Sequence, residues 1–92
     1  MSTRLQSTLT IVNRKGLHAR ASAKFVECVE EYNALAWVSR DGQTVRGDSI
    51  MGLLTLGAAQ GTTVDVLCEG ADASVLMDAL EKLLSDRFGE DA

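Results

Sequence analysis

The stretch from Asn13 to Phe25, "NRKGLHARASAKF", is where one backbone period stops and another starts. Before it, Leu5 to Asn13 alternates Leu5, Ser7, Leu9 and Ile11 against Gln6, Thr8, Thr10 and Val12, rich in β-branched residues, which predicts a strand. After it, Phe25, Val26, Val29 and Tyr32, with Ser22 and Cys28 nearby, share one face at helical spacing. Lys24, Glu27, Glu30 and Glu31 fall elsewhere, which predicts an amphipathic helix over Ala19 to Tyr32. Gly16 breaks the strand, and His18, the single histidine of the chain, stands at the helix threshold.

Further along, Leu35 to Ser39 and Thr44 to Arg46 flank Asp41-Gly42, a pair that accepts positive φ at both central positions of a tight hairpin. Two antiparallel strands are expected there. Ser49 is a good cap for a short helix up to Leu56, with Gly57 and Gly61 bracketing its end. Thr62 to Glu69 alternates Val64, Val66 and Cys68 against Thr63, Asp65 and Leu67, a fourth strand, and Gly70 turns the chain. A last helix is expected from about Asp72 to Arg87, with Leu76, Ala79, Leu80, Leu83 and Leu84 as its apolar stripe and Asp72 favouring its positive end. The closing "FGEDA" reads as loose after Gly89. The order βαββαβα predicts an α+β, open-faced β-sandwich: one four-stranded antiparallel sheet with three helices on one face.

With 92 residues, a single domain over 1–92 is expected, its core over about residues 5–88, without disulfide or metal support. Hydrophobic residues at 46% and charged ones at 24% argue against disorder. The longest uncharged stretch, Ser49 to Val64, is interrupted by glycine and polar residues and is too short to span a membrane. No basic-then-apolar leader opens the sequence, so a cytoplasmic location is expected. Cys28 and Cys68 share no metal-type spacing, and the single histidine, His18, cannot complete a zinc site with them alone, so two packed free thiols and no metal site are expected. A net charge of −4 disfavours nucleic acid and anionic membrane as partners. Trp37, the one tryptophan, makes no stacking platform on the strands, which disfavours an RNA-binding α+β domain. Arg14, Lys15, Arg20 and Lys24 nevertheless gather around His18, a local positive field suited to an anion.

A histidine just before a helix brings two properties together. The first amides of the helix lack intrahelical acceptors and attract anions, while imidazole has an unprotonated nitrogen near neutral pH. A phosphoryl group on that nitrogen would lie within reach of the amides of Ala19, Arg20 and Ala21, with the Arg20 guanidinium as a second contact. The same residues also fit a histidine that merely caps. No second acid, base or metal cluster accompanies His18, so an independent enzyme is not expected.

"GLHARAS" and "DSIMGLLTLGAAQGT", at this separation and in a chain of this length and element order, resemble the HPr family of histidine phosphocarriers of the phosphoenolpyruvate-dependent phosphotransferase system. The resemblance covers roughly Leu5 to Leu84. It implies that His18 accepts a phosphoryl group on Nδ1 from enzyme I and passes it to a IIA-type acceptor, with Arg20 contacting the phosphate and no cofactor needed. The family usually has proline where this chain has Ala21, which restores an N–H to the first helical turn. Ser49, in "SIMG", corresponds to a serine phosphorylated in bacteria that have an HPr kinase/phosphorylase; Gly47 and Asp48 depart from the residues common before it. The resemblance further implies that Ile50, Met51 and Leu54 form a docking patch, with Arg20 and Lys24 at its rim, although the short helix must also send at least one apolar residue inward. "LLSDRFGEDA" is similar to the tails of nitrogen-related carriers, whereas "SIMGLLTLGAAQGT" leans toward a kinase-regulated sugar-transport carrier; the nitrogen-related relay is the favoured expectation. An HPr-like module that docks without carrying phosphate is the alternative.

Overall fold

The computed structural model describes residues 3–92, so the first two residues of the expected domain lie outside the described residues. The strands are β1 (Thr3–Thr10), β2 (Leu35–Arg40), β3 (Gln43–Arg46) and β4 (Thr63–Gly70). The helices are α1 (Ala19–Glu30), α2 (Ile50–Thr55) and α3 (Ala73–Ser85), and a short 3-10 turn follows at Arg87–Gly89. The four strands form one antiparallel sheet in the order β1-β4-β2-β3, with the three helices on one face. The expected α+β architecture is the one observed.

Strand alternation explains the sheet. Leu9 pairs with Val64 and Val38 with Val66, so these apolar side chains point to the same face and are buried there, while Thr8 and Asp65 pair on the open face, where the Thr8 hydroxyl donates to Asp65 at 2.7 Å. Asp41 and Gly42 both take positive φ, 50° and 81°, as the tight β2–β3 hairpin requires. The helices cover the apolar face. Phe25, Val26 and Val29 of α1, Leu53 of α2, and Ala73, Leu76, Met77, Leu80 and Leu84 of α3 are buried in one core cluster. Each large apolar side chain contributes about 1.5–3 kcal/mol by leaving water.

Element ends differ from the sequence reading for local reasons. β1 stops at Thr10, not Asn13, yet Ile11 still donates to the Thr62 carbonyl at 2.9 Å and accepts from Gly61 N–H at 2.7 Å. The chain then turns Asn13 inward, fully buried. α1 stops at Glu30, where the amides of Glu31 and Tyr32 close onto Cys28 and Val29 in tighter turns. Asp72 caps α3 through its backbone, and its carboxylate instead accepts from Asn33 N–H at 2.7 Å.

The expected loose tail is overturned. α3 ends at Ser85, and Arg87, Phe88 and Gly89 all adopt positive φ, at 57°, 54° and 77°. That conformation is unfavourable for arginine and phenylalanine. Burial of the Phe88 ring, 1% exposed, stabilises it, and it folds the chain back toward the start of α1. Lys24 Nζ donates to the Phe88 carbonyl at 2.6 Å, and Arg14 N–H donates to the backbone oxygen of Ala92 at 3.0 Å. The tail is packed on the segment that carries His18.

Candidate functional site

The loop that delivers His18 is fixed from two sides. Gly16 has a φ of 68°, and a Cβ there would lie 2.6 Å from the Ala58 carbonyl oxygen, so only glycine lets the loop come this close. The same carbonyl accepts from Leu17 N–H at 2.9 Å, and Leu17 is buried. Asn13 Nδ2 donates to the Gly16 carbonyl at 2.8 Å, and Ser22 Oγ donates to the Leu17 carbonyl at 3.2 Å. The backbone on both sides of the histidine is therefore held before any ligand arrives.

His18 is the N-cap residue of α1. Its carbonyl accepts from Ser22 N–H at 2.8 Å, and its Nδ1 accepts from Arg20 N–H at 3.3 Å. The imidazole thus does what Ser, Thr or Asp does at most helix starts, with a long bond that is easily exchanged. The ring is partly exposed, at 27% for the side chain, so a second molecule can reach it. The Arg20 side chain is exposed, and among the described residues no carboxylate is within ion-pair distance of its guanidinium. Arg14, Lys15, Arg20 and Lys24, the four expected cations, line one cleft together with Glu90 and Asp91. Ala21 is fully buried, with its amide in the first turn, where no intrahelical acceptor exists.

The sequence reading missed Glu90. Its Oε2 is 2.6 Å from His18 Nε2, and its Oε1 accepts from Asn13 Nδ2 at 3.1 Å. The hydrogen bond from His18 holds the Glu90 carboxyl below its ordinary 4.5, and Asn13 and Lys15 act in the same direction against an opposing effect of burial. A backbone N–H can only donate and an ionised carboxylate can only accept, so the two partners together fit a ring with its proton on Nε2 and its lone pair on Nδ1. A sequence signal existed only in "FGEDA", whose phenylalanine is an odd residue to leave in a loose tail.

A family described as "PTS HPr component phosphorylation site" matches residues 5–86. The chain belongs to the HPr family. HPr proteins are phosphocarriers of the phosphotransferase system, and this chain is a carrier, not a catalyst in the usual sense. It is 42% identical over 86 residues to the phosphocarrier protein HPr of Neisseria meningitidis, covering 94% of this chain and 97% of that one. A phosphocarrier protein NPr from Shewanella violacea is 34% identical over 88 residues, covering 96% and 97%. Among solved structures, an HPr from Thermoanaerobacter tengcongensis superposes with a TM-score of 0.91 at 38% identity, covering 96% of this chain and 99% of that one.

The second HPr motif is placed on α2. Ser49 is its N-cap, with Oγ accepting from Gly52 N–H at 3.0 Å. Leu53 is the residue that goes into the core, whereas Ile50 and Met51 are 40% and 70% exposed and Leu54 is half-buried. Asp48 is not a bare charge beside Ser49, because Arg46 donates to its carboxylate at 3.0 Å. Lys24 lies against the tail, and its ammonium keeps further donors beyond the one given to Phe88. Cys28 and Cys68 are free thiols. Burial, and secondarily Glu31, raises the pKa of Cys28, while burial and the nearby Cys28 raise that of Cys68 to about 11. Both shifts lower the fraction of reactive thiolate. Among the described residues no group of three or more His, Cys, Asp or Glu side chains is arranged to hold a metal, and no helix is long and apolar enough to cross a membrane.

Proposed function

We propose that this HPr-family chain carries its phosphoryl group on Nδ1 of His18, receiving it from phosphorylated enzyme I and delivering it to a IIA-type acceptor. The observation that carries this reading is the position of Nδ1 at the start of α1, where a lone pair faces the Arg20 amide at 3.3 Å. When phosphorus bonds to that nitrogen, the Arg20 amide passes from the nitrogen to a phosphate oxygen. The amides of Ala19 and Ala21 and the guanidinium of Arg20 supply the remaining donors. Ala21 in place of proline adds a donor and removes neither the nucleophile nor the arginine, so phosphorylation is retained.

Incubation with enzyme I and phosphoenolpyruvate, followed by mass spectrometry, tests the reading. One acid-labile, base-stable phosphoryl group on the wild-type chain and none on His18→Ala is the expected result. An unmodified wild-type chain would instead leave an HPr-like module that acts by docking alone.

Lys24, Ile50, Met51 and Leu54 form the docking surface in this proposal, supported by the exposure of Ile50 and Met51 on a helix packed against α1. Methionine adapts to more than one partner, which suits a carrier that must meet a donor and an acceptor in turn. Ser49 is proposed as a regulatory phosphorylation site for an HPr kinase/phosphorylase. A phosphate there adds about −2 charge beside the patch and weakens docking. Ser49 left unmodified by an active cognate kinase would refute this. The tail supports a nitrogen-related relay, while the higher identity to a relative named HPr than to one named NPr supports the sugar-transport relay. Transfer rates from each type of purified enzyme I separate the two. The absence of a helix able to cross a membrane among the described residues fits a cytoplasmic carrier.

A further inference from the structure

Three features meet at the ring of His18: the Arg20 amide on Nδ1, the Glu90 carboxylate on Nε2, and a tail whose backbone adopts an unfavourable conformation to bring that carboxylate there. Glu90 does not reach the ring by chance of side-chain placement. Phe88 is buried in the core, Lys24 holds the Phe88 carbonyl, Arg14 holds the Ala92 backbone oxygen, and Asn13, itself fully buried, holds the second carboxylate oxygen at 3.1 Å. Only 17% of the Glu90 side chain is exposed, so water screens its contact with the ring weakly.

We propose that Glu90 is a positioning residue for phosphoryl transfer: its carboxylate keeps the proton of His18 on Nε2, leaving Nδ1 as the nucleophile, and balances the charge that the ring gains when phosphorus bonds. This rests on His18 being the phosphoryl acceptor. In the neutral ring one nitrogen carries the proton, and if that were Nδ1 the nucleophile would be on the wrong side, away from the helix amides. In the loading step the Nδ1 lone pair forms the N–P bond. The bond from phosphorus to the donor breaks, and its electron pair leaves with the donor atom. The Nε2 proton stays in place, so the ring becomes a cation paired with Glu90. In the unloading step the N–P bond breaks, its pair returns to Nδ1, and the ring is again neutral with the proton on Nε2. No proton has to enter or leave in either direction.

The surrounding charges give the carboxylate its use. Arg14, Lys15, Arg20 and Lys24 line one cleft with Glu90, and Asp91 is the other acidic side chain that lines it. Without Glu90 the cations that attract phosphate would also oppose the charge that phosphate transfer creates on the imidazole.

Two variants separate the functions. Glu90→Ala removes acceptor and charge, whereas Glu90→Gln keeps a hydrogen-bond acceptor and removes the charge. Nitrogen-15 NMR of the unphosphorylated chain at mildly alkaline pH reads the tautomer, and rapid-quench labelling with enzyme I and phosphoenolpyruvate reads the rate. The expected result is a predominantly Nε2–H ring in the wild type and in Glu90→Gln, and a shift toward Nδ1–H in Glu90→Ala. Acceptance is expected to slow by about tenfold in both variants, the scale of one lost charge-assisted hydrogen bond. A wild-type ring protonated mainly on Nδ1, an unchanged tautomer ratio in Glu90→Ala, or native acceptance rates in both variants would overturn the proposal. The NMR readout needs no phosphorylation, so failure of His18 as acceptor is distinguishable from failure of Glu90 as its positioning residue.

Discussion

His18 does two jobs with two nitrogens, and its neighbours divide the labour. Nδ1 caps the helix and Nε2 meets a carboxylate, so the capping role and the proposed phosphoryl-accepting role fit on the same ring without competing. The residues around it show which side chains are free to act and which are structural. Arg20 is exposed without an ion-pair partner among the described residues, Ala21 is buried, and Met51 is 70% exposed on α2. Met51→Asp therefore leaves thermal stability within about 0.5 kcal/mol of wild type while slowing phosphorylation by enzyme I about tenfold, because a charge is placed where an apolar partner surface must be desolvated. Stopped transfer assays beside a melting curve check this. A native transfer rate in the folded variant would remove Met51 from the docking surface.

At the scale of elements, period changes in the chain told where strand gives way to helix, and Asp41-Gly42 told where the hairpin turns. Leu9, Val64 and Val66 were legible as core from alternation alone, and His18 as a helix-threshold residue from the jump in spacing after Gly16. The tail was not legible. Charged and small residues after Phe88 read as solvated, and the fold-back depends on a buried phenylalanine in a conformation that local propensity disfavours, which only tertiary packing sustains. For the same reason Glu90 could not be paired with His18, 72 positions away, without knowing that the tail returns to α1.

The docked tail carries its own pH dependence. Because the Glu90 carboxyl titrates below its ordinary 4.5 when docked, the contact stabilises the docked state fully above that value and is lost as pH falls through the lowered one. Hydrogen exchange at the Gly89 and Glu90 amides, which donate to Asp86 and Arg87 at 3.0 and 2.9 Å, should speed up, after correction for intrinsic rates, as the pH is lowered through the range below 4.5 while α3 stays protected. Unchanged protection of these amides in acid would show that Phe88 holds the tail without Glu90.

For the molecule as a whole, an acidic chain presents a basic cleft at one end of a half-covered sheet, and the two motifs that mark the HPr family lie on helices packed against each other. The overall charge of −4 discourages nucleic acid, and the local cations give the cleft a positive field that suits the proposed phosphoryl group. The open face of the sheet bears Arg4 against Glu69 at 3.9 Å and Arg46 over Trp37 at 5.7 Å, a self-paired surface on the side away from the helices. The loop, the first helical turn and the returning tail all converge where α1 begins, which is where the proposed chemistry is placed. The most direct test is NMR of the isotope-labelled chain after phosphorylation by enzyme I and phosphoenolpyruvate. Phosphorus-to-nitrogen coupling at His18 Nδ1, with the Nε2 proton still present, is the predicted result; coupling at Nε2, or phosphate on any residue other than His18, would contradict it.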